Sequence, residues 1–361
     1  MTPTDTDLSI EELEYFSRQI VLSDIGYKGQ LKLQNAKVCV VGLGGLGSPA
    51  VIQLAAMGVG FIRLVDRDVV EPSDLHRQPL YDRDSLGYPK VEAAAARVKK
   101  INPHTRTELL PLSIDNENAE EIVKGVDVVL DGLDHIAPRY ILNRSCVKQD
   151  LPYIFGGATE TFGNLTTILP RKTPCLECFM PGLKDEDIPT CGVVGVHPSV
   201  LGIISSLQVS EVVKIILGKN PSLSNKFLFC DIRRLTFDEM DIYRRTNCPV
   251  CGDQETSTPT ITRKLVESIC GRGGQPALVI TPKENLSLNM EKLNALLKKR
   301  EFKVKMRTYL STTFNINNKI SFSILRSGVT IVEGTNDEQK VLDIFREIVV
   351  DGLGISPSRI N

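Results

Sequence analysis

The segment Lys37–Gly47, KVCVVGLGGLG, constrains this chain more than any other, because an unbroken apolar run leads straight into Gly42-x-Gly44-x-x-Gly47. Val38–Val41 has the continuous apolar character of a strand buried on both faces, as in a parallel sheet. Glycines at this point permit a tight turn and let backbone amides approach a phosphate where a helix begins. A second apolar run, FIRLVD, ends on Asp66, an acid at the spacing that binds ribose hydroxyls. The chain therefore opens with a nucleotide-binding βαβ unit rather than a glycine-rich turn that holds nothing. Hydride-transfer and adenylate-forming enzymes share the motif, so the loop alone leaves the chemistry open.

Length and composition narrow the class. The 361 residues suffice for one large and one small domain, and 42% hydrophobic with 24% charged residues is ordinary for a globular protein. A net charge of −1 gives no basic field to recruit nucleic acid or an anionic membrane. No apolar run approaches the roughly 18 residues of a membrane span, so no membrane association is expected. The acidic first 25 residues lack a signal-peptide core, which predicts a cytoplasmic location. Nine cysteines without a secretion signal argue against a disulfide scaffold. Cys39 and Cys230 lie in apolar runs and read as buried small hydrophobes, whereas Cys146 and Cys270 carry no signal.

Residues 1–30 read as a helical arm with a capping box at Ser9-x-x-Glu12 and an apolar stripe of Leu13, Phe16 and Ile20. Helices are predicted near residues 46–57, 85–101 and up to 149, with strands ending at Asp66, at Val126–Asp134 and in LPYIFGG. This alternation predicts an α/β fold with a Rossmann-like, doubly wound, mostly parallel sheet. From Asn164 the pattern turns to shorter strands, a Cys/Pro-rich loop, one long helix near Pro198–Leu217, and the strands FLFCDI and RLTFDEMDIY, an antiparallel extension. The polar, aperiodic residues 253–262 read as a linker between a domain at 1–252 and a small α+β domain at 263–361.

Three clusters carry chemistry. Cys175-x-x-Cys178 and Cys248-x-x-Cys251 offer four thiolates, the closed tetrahedral set of structural Zn²⁺, with a redox pair or an iron–sulfur cluster as the alternatives. Asp131-x-x-Asp134 ends a predicted strand at the carboxyl edge, where a carboxylate can hold Mg²⁺ against a triphosphate, while Asp131 reads more readily as the cap of the next helix. Asp74-Leu-His-Arg77-Gln78, with Lys90 further on, sets cations downstream of the ribose acid, although a lone Arg is as often a surface residue.

Taken in order, GLGGLG, the D-x-D of Asp66 and Asp68, S-x-L-x-R-Q, G-x-P-K-V-E, D-x-x-D, both C-x-x-C pairs, and T-C followed by G-V make the chain resemble the ThiF/MoeB-like adenylyltransferases, relatives of the ubiquitin-activating enzymes, over residues 14–252. The tail, from Cys270-Gly-Arg272 to a hairpin and helix, is similar to an extension on some of these proteins. The resemblance implies ATP-dependent adenylation of the C-terminal carboxylate of a ubiquitin-like sulfur carrier ending in Gly-Gly, in thiamin, molybdopterin or tRNA-thiolation pathways. It implies ATP and Mg²⁺ alongside Zn²⁺. Carried over by position, Gly42, Gly44 and Gly47 cradle the nucleotide, Asp66 takes the ribose, Arg77, Gln78 and Lys90 face the phosphates, and Asp134 holds the metal. Arg18 matches an arginine that reaches into the partner subunit's site, which implies a homodimer. Cys191 matches a mobile-loop cysteine that forms covalent links with the carrier or its sulfur, an ordinary loop cysteine being the alternative. No rhodanese-like domain is apparent, so a separate sulfur donor is expected. Two positions depart from the family pattern: Asp74 and His135 both stand where Asn is usual. Other readings left open are activation of a ubiquitin-like modifier for conjugation, a silent binder of such a partner, and a nicotinamide-dependent oxidoreductase, which gives the cysteines and cations no role.

Overall fold

A computed structural model describes residues 7–187, 194–253, 261, 264–272, 275–317 and 319–361. The chain enters through three short helices, α1 (Ile10–Tyr15), α2 (Ser17–Ile20) and α3 (Gly26–Asn35). The predicted capping box is present: the Ser9 hydroxyl accepts from the Glu12 amide at 3.2 Å, and the Glu12 carboxylate accepts from the Ser9 amide at 2.9 Å. Of the predicted stripe only Phe16 is buried, while Leu13 stays exposed.

Strands β1 (Lys37–Val41), β2 (Phe61–Val65), β3 (Arg106–Leu110), β4 (Val128–Asp131) and β5 (Tyr153–Thr159) run parallel in the order β3-β2-β1-β4-β5. Antiparallel β6 (Phe162–Ile168), β7 (Lys226–Asp231) and β8 (Thr236–Asp241) extend the sheet to eight strands. The period of two along β1 divides the core. Val38 and Val40 face a layer that includes α3, α4 (Gly47–Ala56) and α5 (Lys90–Ile101), whereas Cys39 and Val41 face α6 (Ala119–Val123), α7 (Ile136–Lys148) and α8 (Leu176–Phe179). The second long helix starts at Lys90, not near Ser85, because Pro89 sits at its cap and Asp82 closes a separate turn on Ser85. Strand β3, RTELL, lacks the apolar run that would mark it in the sequence.

Helix α9 (Pro198–Leu217) corrects one expectation: it is 20 residues long and apolar enough to cross a membrane. Half of its apolar stretch is buried, and Val209 and Val212 pack into the core with α3 and α4. A helix packed in this way has little polar face, which gives it the length and hydropathy of a membrane span.

Beyond residue 264 lies a second, six-stranded antiparallel sheet, made of β9 (Val266–Arg272), β10 (Gln275–Ile280), β11 (Lys303–Arg307), β12 (Ser311–Asn315), β13 (Ser321–Leu325) and β14 (Thr330–Glu333) in the order β11-β12-β13-β14-β10-β9. Helices α10 (Met290–Lys299) and α11 (Glu338–Arg346) cover it, and Phe314, Phe322 and Phe345 are fully buried there. This module abuts the first sheet. Val69, just past β2, packs with Val279, Leu325, Val329 and Ile331, and the Ser327 hydroxyl donates to the Pro111 carbonyl at 2.5 Å.

Three glycines decide how closely the nucleotide loop meets the sheet. A Cβ on Gly47 would lie 1.9 Å from the Gly42 oxygen, and one on Gly132 would lie 2.2 Å from the same atom. Gly42 itself has φ +88° and touches Gly132. At Gly44, by contrast, a Cβ would meet only the Gln78 amide nitrogen at 3.9 Å. Gly47→Ala is therefore expected to lower the melting temperature by several degrees, about 2 kcal/mol or more of overpacking strain. Gly44→Ala should fold as well as the parent yet lose nucleotide affinity, a contrast that thermal denaturation and calorimetric ATP titration would check.

Candidate active site

The carboxyl edge of the parallel strands gathers most of the predicted groups. Asp66 follows β2 and accepts from the Leu43 amide and the Asp68 amide, both at 2.7 Å, so it shapes the glycine loop. Burial raises its pKa more than nearby Lys90 lowers it. Asp74, the first departure from the family pattern, is buried at the centre of the cation cluster. One of its oxygens accepts from Gln78 at 2.6 Å and lies 3.3 Å from Arg77, and the other lies 3.6 Å from the Lys90 ammonium. The extra charge thus has two cations beside it and touches all three groups expected to face phosphate, Lys90 being shared with Asp68 at 3.4 Å. The Gln78 side-chain oxygen is buried without a hydrogen-bond partner among the described residues, close to where Gly44 leaves space. An orphaned polar atom beside open room fits a bound ligand.

The two acids of D-x-x-D have different fates. Asp131 is fully buried: it accepts from the Tyr153 hydroxyl at 2.6 Å and the Leu133 amide at 2.8 Å, and pairs with Arg139 at 3.2 Å. It braces the turn after β4 rather than capping α7, whose first amide, Ile136, is taken by Asp185 at 2.5 Å. Asp134 is 74% exposed, and its one hydrogen bond among the described residues is to His135 Nδ1 at 2.8 Å. Surrounding protein desolvates Asp134 and so raises its pKa. The His135 hydrogen bond and charge, with Arg67, outweigh this and hold it at about 2. An accessible, ionised carboxylate with one oxygen uncommitted could hold a divalent cation.

Arg18 stands on α2, exposed and with no ion pair among the described residues. Cys191 and Thr190 lie outside the described residues. A cavity of about 820 Å³ between α9 and the β7–β8 hairpin, lined by Ser199, Ile203, Leu207 and Phe237, contains none of the nucleotide-site groups. Sequence reasoning missed Arg139 and Tyr153, since a lone Arg on a helix and a Tyr in a strand give no signal, and it missed Arg67, whose role needs the C-terminal module.

The four cysteines converge. Cys175 Sγ lies 3.6 Å from Cys248 Sγ and Cys178 Sγ lies 3.3 Å from Cys251 Sγ, with all four sulfurs within 4.8 Å of one another and buried. These gaps are too long for disulfides and close to the about 3.8 Å between sulfurs of a tetrahedral zinc tetrathiolate. The set could hold Zn²⁺. The other buried thiols do not share this use: burial pushes Cys39 up to about 12, and Cys146 and Cys230 are raised for the same reason.

A ThiF family model matches residues 16–250. This chain belongs to the ThiF family. It is 37% identical over 247 residues to the SAMP-activating enzyme E1 of Haloferax volcanii, covering 68% of this chain and 91% of that protein. It is 36% identical over 289 residues to the adenylyltransferase and sulfurtransferase MOCS3 of Drosophila sechellia, covering 78% of this chain but 63% of that protein, so it spans under two thirds of this relative. Among solved structures it is similar to E. coli MccB with MccA-N7isoASN, at 26% identity and a TM-score of 0.60 over 69% of this chain and 77% of that one.

Three outcomes follow for this ThiF-family chain. Purified protein should contain about one zinc per chain, and Cys178→Ser or Cys251→Ser should release it and lower the melting temperature, as metal analysis and calorimetry would read. Asp131→Ala should strand Arg139 in the core and destabilise by about 3–5 kcal/mol in urea denaturation, while Asp134→Ala should cost little. The Asp134 hydrogen bond, above all, raises the His135 pKa. The stabilisation from that pair is therefore full between the ordinary aspartate value of about 3.9 and the ordinary histidine value of about 6.5, and fades as pH rises through the folded His135 value or falls through that of Asp134. NMR titration should find His135 above that ordinary value and Asp134→Asn bringing it down.

Proposed function

We propose that this chain adenylates the C-terminal Gly-Gly carboxylate of a ubiquitin-like sulfur-carrier protein with ATP. A carrier carboxylate oxygen attacks the α-phosphorus, the bond from that phosphorus to the bridging oxygen breaks, and pyrophosphate leaves. A carboxylate is already ionised at neutral pH, so the step needs charge neutralisation and alignment rather than a base. Arg77, Lys90 and Gln78, held by Asp74, would meet the phosphates, Gly42–Gly47 the phosphate backbone, and Asp66 the ribose. Mg²⁺ at Asp134 would supply charge neutralisation on the polyphosphate.

The observation that carries this reading is the assembly of cations and an accessible carboxylate around a glycine loop that leaves room at Gly44. Likeness to the SAMP-activating enzyme E1 across 91% of its length supports a protein substrate over a nicotinamide one. A homodimer with Arg18 acting across the interface is part of the proposal. It is supported by Ile10, Val21 and Leu22 near Arg18, apolar residues exposed in the single chain at 85%, 76% and 52%. Cys191 is proposed to form the covalent link to the carrier or its sulfur, with sulfur delivered by a separate donor.

The decisive experiment is Mg²⁺-dependent ATP–pyrophosphate exchange with a Gly-Gly-ending carrier. Asp134→Ala should abolish exchange with the fold intact, and exchange at the parent rate would refute the metal role. Mixed dimers of Arg18→Ala and Asp134→Ala chains should regain part of the activity, because one of the two sites is then complete. Cys191→Ala should keep exchange but lose the carrier adduct on a non-reducing gel.

A further inference from the structure

A charged contact joins the C-terminal module to the edge of the nucleotide crevice. Arg67 sits between Asp66 and Asp68 just beyond β2, yet its guanidinium turns outward, 2.9 Å from the Glu267 carboxylate on β9 and 3.4 Å from the Ser113 hydroxyl. Ser113 in turn lies 3.5 Å from the Thr281 hydroxyl, so the contact joins the loop after β3 to the module. The module is not free to drift. The Val69 cluster, the Ser327–Pro111 bond, and the Tyr309 and Leu310 amides donating to Glu92 at 3.3 and 3.2 Å fix it against the same corner of the sheet.

Only β1 separates β2 from β4. Arg67 and Asp134, each just past its strand, therefore emerge about 10 Å apart, two strand spacings, a gap that an extended arginine can close. We propose that Glu267 is a positioning residue for the nucleotide site: by drawing the Arg67 guanidinium outward it keeps that cation from pairing with Asp134, and so leaves the carboxylate open to a metal-bound nucleotide. The proposal rests on the reading of Asp134 as the metal-binding acid. Arg67 already acts on Asp134 at a distance, helping to hold its carboxyl low. Besides Glu267, the carboxylates that act on Arg67 are Asp68, already 3.4 Å from Lys90, and Asp134, and pairing of Arg67 with Asp134 would exclude a divalent cation.

The test is calorimetric titration of Mn²⁺ into full-length protein with a non-hydrolysable ATP analogue, needing neither carrier nor turnover. Glu267→Gln should weaken Mn²⁺ binding by about tenfold, and Arg67→Gln added to it should restore affinity to within about twofold of the parent, since the competing cation is gone. If Glu267 merely pins the module, the double variant will bind no better than Glu267→Gln. That result, or unchanged binding by Glu267→Gln, overturns the proposal while the adenylation reading stands. A parent protein that binds no metal–nucleotide overturns both.

Discussion

Backbone packed on backbone at Gly42, Gly47 and Gly132 is the contact on which the rest of the site depends. Any side chain at Gly47 or Gly132 would push against the Gly42 carbonyl, so the loop after β1 can lie against the turn after β4 only because none is there. That approach sets the accessible Asp134 beside the open side of the glycine loop. The buried Asp131–Arg139–Tyr153 cluster then keeps the turn from relaxing, since each member would be left unpaired if the others moved.

Charge is handled by pairing rather than by excess. The cations that would meet a polyphosphate are held on acids of the protein, Arg77 on Asp74 and Lys90 on Asp68 and Asp74, so they are oriented before any ligand arrives. A site built in this way loses less side-chain entropy on binding than one with loose lysines, at the cost of part of its positive field. The acid at position 74, a departure from the family pattern, becomes intelligible as an anchor.

Much of this was legible in the sequence because the governing contacts are local or periodic. The strand-to-glycine run, the acid that follows β2, the capping box at Ser9 and Glu12, and the paired cysteines each announce themselves within a few residues. What escaped depends on partners distant in sequence. Nothing near Asp131 signals that Arg139 and Tyr153 enclose it. Strand β3 borrows its stability from β2 rather than from its own apolarity. Helix α9 reads as one continuous apolar stretch because part of it packs into the core with α3, α4 and the sheet. Arg67 reads as a surface residue until Glu267, 200 positions later, is brought beside it.

The cysteine cluster has a consequence for how the protein meets its surroundings. Its two pairs stand 73 residues apart and bracket α9 together with strands β7 and β8. A metal bound there would tie down that long excursion, and where it prefers the folded arrangement the free energy of unfolding rises with the logarithm of free metal. The working amount of folded protein would then follow the cell's zinc supply, which couples a nucleotide-using step to metal nutrition through thermodynamics alone.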